Sequence, residues 1–269
     1  MRVVVLAVIA VAVAVLCLLA VSAGKAIAPT AQTSAGPLTV VVLGDSVPAA
    51  DLCGCQGFSE LTAARLQQAT GREVILHNDA VDGWTSQQVL ADAQSGTSHD
   101  DLAAGADLVI IEAGANDLPL GRLNEPQCQP AAGSDCFAPT LRQVGDQLTA
   151  TVREVRAVDP VPDVEIVLMG YWNVSVDGAV GQARGAAYVA ASDEVTQDFN
   201  AMVIDVSRRT GATYVDAYAA LKGGDGQRDP TAYLIADGDH PNAAGNRRLA
   251  QYVYNALARA GTVTAWQKK

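Results

Sequence analysis

Ser46 stands in the tripeptide Gly44-Asp45-Ser46, directly after the apolar run Leu38-Thr39-Val40-Val41-Val42-Leu43, and near the far end of the chain lies Asp237-Gly238-Asp239-His240-Pro241. A serine hydroxyl is a poor nucleophile near neutral pH. It needs a base to take its proton, and that base needs a partner to fix its tautomer. The chain has three histidines, His77, His99 and His240. His77 and His99 have no partner pattern and read as structural or exposed, whereas His240 has Asp237 three residues before it, near enough to hold the imidazole through its other nitrogen. Ser46, His240 and Asp237 are therefore the parts of nucleophilic acyl transfer. An imidazole base stops working once protonated, so activity is expected to fall on the acid side.

These groups can meet only if the fold gathers distant segments, and the hydrophobic pattern supplies the frame. Residues 38–43 are apolar on both faces, which marks a central strand of a parallel sheet. Further strands are predicted over 73–76, 107–112, 164–169 and 213–215. Helices are predicted over 58–69, with a stop at Gly71, over 85–93, and over 192–210. The helix predicted over 140–158 carries Leu141, Val144, Leu148, Val152 and Val155 on one stripe. A closing helix over 243–260 starts behind Pro241-Asn242 and ends at Gly261. This alternation predicts an α/β fold, a three-layer α/β/α sandwich around a parallel sheet of about five strands, in one domain over 38–262. Residues 118–139 form a long irregular insertion, and loops of that length are usually functional or stapled. Ser46 follows the first strand, Gly83 the second, and Asn116 the third in Gly114-Ala115-Asn116-Asp117, so the chemistry collects at the carboxyl ends of strands.

Residues 3–23 are almost unbroken apolar sequence behind Arg2, long enough to cross a bilayer at about 1.5 Å per residue. Residues 1–23 read as a signal peptide or an N-terminal membrane anchor, with both open, and 24–37 as a linker. The expected location is secreted or otherwise outside the cytoplasm. Beyond this segment stand Cys53, Cys55, Cys128 and Cys136, an even number that in an exported chain reads as disulfides. Cys128 with Cys136 closes a short loop and leaves Cys53 with Cys55. Cross-pairing of the two loops and a zinc site are the rival readings. The net charge of −11, from 18 Lys and Arg against 29 Asp and Glu, argues against a nucleic-acid partner and against strong attraction to anionic lipid. No metal is expected, because His240 has no second ligand cluster beside it.

Taken in order, Gly44-Asp45-Ser46, Asn78 through Gly83, Gly114-x-Asn116-Asp117 and Asp237-x-x-His240 resemble the SGNH (GDSL-type) serine hydrolases, as an exported bacterial member, over nearly all of the chain after the linker. The family's four residue types fall on Ser46, Gly83, Asn116 and His240. The resemblance implies a flavodoxin-like fold and hydrolysis of carboxylic esters without a cofactor. Ser46 is then the nucleophile and His240 the general base and acid. The oxyanion is met by the backbone N–H groups of Ser46 and Gly83 and by the Asn116 amide, each donor worth about 10²–10³ in rate. Gly83 suits such a place because a Cβ would intrude on the substrate. Val47 stands where the commoner text has leucine, and Gly44-Asp45-Ser46-Val47-Pro48 lacks the second glycine of a Gly-x-Ser-x-Gly elbow. Each block alone has an ordinary reading: Ser46 as a helix cap, Asn116 and Asp117 as an Asx turn, Asp237-Gly238-Asp239 as an acidic turn. Four in order carry the weight.

Specificity is less legible. Trp172 and Asn173 follow the fourth strand and Leu118 follows the Asn116 turn, so these three are the expected substrate-binding residues. The substrate is an acyl ester, small or polymer-bound, handled by a monomer, with a membrane tether through 3–23 if that segment is retained. Two other classes compete: an acyltransferase or a deacetylase of wall or polysaccharide acyl groups, and a non-catalytic wall-binding module. The latter has no reason to keep Ser46, Asn116, Asp237 and His240 together.

Overall fold

In the computed structural model, which describes residues 36–129 and 135–268, the apolar run after the linker forms strand β1 (Leu38–Gly44). It is followed in the chain by β2 (Val74–Asn78), β3 (Leu108–Glu112), β4 (Glu165–Met169) and β5 (Thr213–Val215). The apolar run at 3–23, the linker as far as residue 35, and 130–134 of the insertion lie outside the described residues. The strands form one sheet in the order β2-β1-β3-β4-β5, with every neighbouring pair parallel. This is the flavodoxin-like order. β1 and β3 sit inside the sheet with both faces covered, and β3 is buried at every position. That double burial is why these two strands read as near-continuous apolar text.

Register places the functional ends level. Gly44 pairs with Glu112 across β1 and β3, so residues 45–46 and 113–116 leave the sheet side by side. In the order 2-1-3-4-5 the connections from β1 and β3 depart in opposite directions, and the crevice between them is where open α/β sheets bind ligands.

The helices are α1 (Ser46–Ala49), α2 (Phe58–Thr70), α3 (Ser86–Ser95), α4 (Thr97–Ala104) and α5 (Ala138–Val158). They continue with α6 (Gly178–Ala183), α7 (Ala186–Thr210), α8 (Ala217–Lys222), α9 (Ala243–Ala260) and α10 (Thr262–Gln267). One layer packs α2, α8, α9 and α10 together, and the other packs α3, α4, α5 and α7. The stripe read from the sequence on α5 is its buried face: Leu141, Val144, Leu148, Val152 and Val155.

Five short helices, α1, α4, α6, α8 and α10, are not expected from the sequence, and α7 begins at Ala186 rather than at 192. These windows are short and polar or alanine-rich, so they carry little periodicity; α4 buries only Ser98 and Leu102. The domain also runs past 262, because α10 buries Val263 and Trp266 and the Gln267 amide donates to the Ala69 carbonyl at 2.8 Å. The insertion is more ordered than expected, with 3-10 turns at Leu120–Asn124 and Pro126–Cys128. Leu123 and Phe137 are buried there, and the disulfide Cys128–Cys136 closes the segment. The remaining pair is Cys53–Cys55.

Candidate active site

The turn at the end of β1 has little room. A Cβ on Gly44 would sit 2.2 Å from the Glu112 carbonyl oxygen and 2.6 Å from Pro48 Cγ. Glycine alone lets β1 leave the sheet this close to β3. Asp45 then caps α1, its Oδ1 accepting from the Val47 amide at 3.2 Å. Ser46 becomes the first residue of a four-residue helix, so its own N–H has no intrahelical acceptor.

His240 arrives from the loop before α9. Its Nε2 lies 2.9 Å from Ser46 Oγ, and its Nδ1 lies 2.6 Å from Asp237 Oδ2. Asp237 is itself held, because its Oδ1 accepts from the backbone amides of Asp239 at 2.9 Å and His240 at 3.1 Å. Burial pushes the Asp237 carboxyl up, but these amides and the His240 ring outweigh it and hold the group below the usual carboxylate range. An ionised Asp237 accepts a hydrogen bond from the Nδ1–H and leaves the Nε2 lone pair facing the serine hydroxyl. The triad expected from the sequence is thus brought together at hydrogen-bonding distances.

The two further oxyanion candidates are linked to each other. Asn116 sits exposed in the turn Ala115–Asp117, and its Nδ2 donates to the Trp84 carbonyl at 2.9 Å, leaving one amide hydrogen for the cleft. Asp117 accepts from the Ser86 amide at 2.8 Å and the Ser86 hydroxyl at 2.9 Å, tying the start of α3 to the end of β3. Gly83 lies just before this tie. It is exposed with φ +78°, and a Cβ there would meet nothing within 4 Å. Within the protein, then, what favours glycine at 83 is the left-handed backbone and not crowding by neighbouring residues. Gly83 is not among the residues lining the cleft.

The cleft itself is small, about 60 Å³. Ser46, Asn116 and His240 stand on it, with walls from Leu120, Trp172 and Val174. Trp172 is fully buried, and its indole N–H has no partner among the described residues. Two expected substrate-binding residues are placed otherwise. Leu118 is buried in the core, and Leu120, two residues on, faces the cleft instead. Asn173 reaches the cleft, but its side chain is spent on the frame. Its Oδ1 accepts from the Ser192 hydroxyl and from the Ser175 amide at 2.9 Å, and its Nδ2 donates to Asp177 at 3.2 Å. Asp177 in turn pairs with the buried Lys222 at 3.2 Å, which also holds Asp193 at 2.7 Å. A polar residue immediately after a strand reads as a ligand contact, and only the tertiary partners reveal a brace.

Beneath Ser46 lies a buried cluster of acid groups. The Tyr171 hydroxyl donates to Asp45 Oδ2, and burial, opposed by that bond and by the Val47 amide, lifts the Asp45 carboxyl to about 7. Glu112 is fully buried with neither carboxyl oxygen hydrogen-bonded among the described residues. Burial first, and Asp45 second, push it well above the usual range. A charged residue ending an otherwise apolar strand was the one available signal.

The sequence model of the GDSL-like Lipase/Acylhydrolase family matches residues 42–248, an interval that contains every residue described above at the cleft. Among solved structures, the chain is similar to the lipase Lip_vut3 from goat rumen metagenome, at 19% identity and TM-score 0.65, over 81% of this chain and 97% of that one. It is also similar to Axe2, an acetylxylan esterase from Geobacillus stearothermophilus, at 19% identity and TM-score 0.58, over 82% of this chain and 95% of that one. At such identities the likeness speaks to the fold alone. No curated protein matches the chain.

Proposed function

The chain belongs to the GDSL-like lipase/acylhydrolase family and is a carboxylic ester hydrolase, and from that premise we propose that it is an exported serine esterase working through an acyl-enzyme on Ser46. The observation that carries this reading is the continuous relay Asp237–His240–Ser46, at 2.6 Å and 2.9 Å. Ser46 Oγ attacks the ester carbonyl carbon while His240 Nε2 takes its proton. The carbonyl oxygen gains the negative charge, facing the Ser46 N–H and the Asn116 amide on the cleft, with the Gly83 N–H from beside it as the third proposed donor. Collapse breaks the bond to the alcohol, which leaves with the proton from Nε2. Water then attacks the acyl-enzyme with the same histidine as base, and the carboxylic acid departs.

The size of the cleft supports a short acyl group. A cavity of about 150 Å³ holds a benzene ring, and this one is about 60 Å³. In proportion it takes two or three heavy atoms, so an acetyl group suits it and fatty acyl chains do not. The acetylxylan esterase among the structural relatives is consistent with that size class. Export is supported by the two disulfides, which belong to oxidising compartments, and by the apolar sequence at 3–23. Among the described residues no helix is long and apolar enough to cross a membrane.

Hydrolysis of a p-nitrophenyl ester series from acetate upward, beside Ser46→Ala, tests the reading. The expected profile peaks at acetate and vanishes in the variant. A peak at long chains would overturn the acyl-size argument, and activity surviving in Ser46→Ala would overturn the nucleophile.

A further inference from the structure

We infer that Asn246 is a positioning residue that sets the separation of Ser46 and His240, with the Cys53–Cys55 ring as its backstop; the inference rests on the Ser46–His240 reading above. Asn246 lies in the first turn of α9 and is completely buried. Its Oδ1 accepts from the Phe58 backbone N–H at 3.0 Å. Phe58 opens α2, so that N–H has no acceptor within its own helix. Its Nδ2 lies 3.1 Å from the Pro241 carbonyl and 3.2 Å from the Asn242 carbonyl. The same nitrogen lies 3.8 Å from Cys53 Sγ and 3.7 Å from Cys55 Sγ. Two N–H bonds thus face four acceptors. Carbonyls are the stronger and sulfurs the weaker, so the amide is anchored on the residue beside His240 and rests against the disulfide.

Both ends of this clamp lead straight to the chemistry. On the serine side, α1 ends at Ala50, whose φ of +59° is the one positive value outside glycine among the described residues. The chain then runs through the disulfide ring to Gly57, where a Cβ would sit 2.5 Å from the Ala50 Cβ, and on to Phe58. A short, tightly folded path therefore joins Ser46 to the Oδ1 contact. On the histidine side, Pro241 follows His240 directly, and the His240 carbonyl accepts from the Ile235 amide at 2.9 Å. An asparagine serving α9 alone would satisfy its amide within that helix turn. Here its Oδ1 bonds to the start of α2, far away in the chain, in the segment that leads from the nucleophile.

The test compares Asn246→Ala, Asn246→Asp, the paired variant Cys53→Ser/Cys55→Ser, and Asn246→Ala in the paired background. The readouts are kcat and KM for p-nitrophenyl acetate and the rate of Ser46 labelling by an organophosphonate. Displacing a catalytic group by about 1 Å costs on the order of 10²-fold, so kcat and the labelling rate are expected to fall together by about 10–100-fold in Asn246→Ala, with KM nearly unchanged. Asn246→Asp keeps the acceptor for Phe58 but turns a second oxygen toward two carbonyls, and it is expected to fall as far. The cysteine pair is expected to lose about three- to tenfold, and the combined variant less than the product of the separate losses, because both act through one contact. A folded Asn246→Ala or Asn246→Asp with wild-type kcat and a lowered melting temperature would overturn the positioning role. Unchanged kcat in the cysteine pair, or losses that multiply fully, would overturn the backstop. Ser46→Ala separates the two levels: activity surviving there sinks the serine reading, whereas an inactive Ser46→Ala beside a silent Asn246→Ala sinks this inference alone.

Discussion

Replacing Asp45 with asparagine removes a titration from beneath Ser46, and the stability of the protein should report it. Asp45 is 1% exposed, and burial lifts its carboxyl from 3.8 to about 7. The folded chain therefore keeps this proton to higher pH than the unfolded chain does. Below the unfolded value both states are protonated and nothing is lost. As pH rises from there toward 7, the unfolded state gives up the proton first and the folded state loses stability; above 7 the loss is complete. A shift of about three units at 1.36 kcal/mol each is about 4 kcal/mol. In Asp45→Asn the amide oxygen still accepts from Val47, the amide nitrogen meets the Tyr171 hydroxyl, and nothing titrates. Relative to wild type, the variant should gain up to about 4 kcal/mol between about pH 4 and about pH 8, or about 8–16 °C in melting temperature for a domain of this size. Urea unfolding of both proteins across that range measures the difference, in which the other buried acids largely cancel. Parallel stability profiles, or a gap that narrows as pH rises, would refute the assignment of a raised, buried carboxyl to Asp45.

Other expectations follow from single contacts. Asp237→Asn removes the acceptor that orients His240 Nδ1, and a loss of about 10²–10⁴ in kcat is expected; activity within tenfold of wild type would remove Asp237 from the relay. Asn116→Ala should cost about 10²–10³ in kcat with KM little changed, whereas a rise in KM alone would make it a ground-state contact. Gly83→Ala places a side chain in open space at φ +78°, so the expected cost is backbone strain of about 1–2 kcal/mol. A much larger loss of stability would mean a neighbour that the geometry does not show. Trp172→Ala should lower stability by about 3–5 kcal/mol and move the acyl optimum of the folded variant to longer chains. An unmoved optimum would take Trp172 out of the acyl wall.

Elements whose signal is local were legible in the sequence. β1 and β3 announce themselves because burial on both faces leaves almost no polar position, Thr39 and Glu112 excepted, and α9 because Asn242 caps it and Gly261 ends it. Ser46, Asn116, His240 and Asp237 were also legible, since each belongs to a short motif placed just past a strand or just before a helix. The site's supports were not. Asn246 looks like an ordinary helix residue until Phe58 is folded against it, and Asn173 looks like a rim residue until Ser192 and Asp177 engage its amide. Tyr171 gains its meaning only when β4 carries it beside Asp45. Leu118 and Leu120 differ in no sequence property, and the 3-10 geometry of the insertion decides which of them meets the cleft. The small helices α4, α6, α8 and α10 are too short for periodicity to emerge, so packing rather than pattern defines them.

The central claim is that Ser46 carries the acyl group, and trapping that group tests it most directly. The protein would be quenched in acid during turnover of p-nitrophenyl acetate, then analysed by intact mass and by peptide mapping. The account expects a single acetyl adduct, on the peptide containing Ser46, and none on Ser46→Ala. An adduct on another residue, or one that persists in Ser46→Ala, would contradict it.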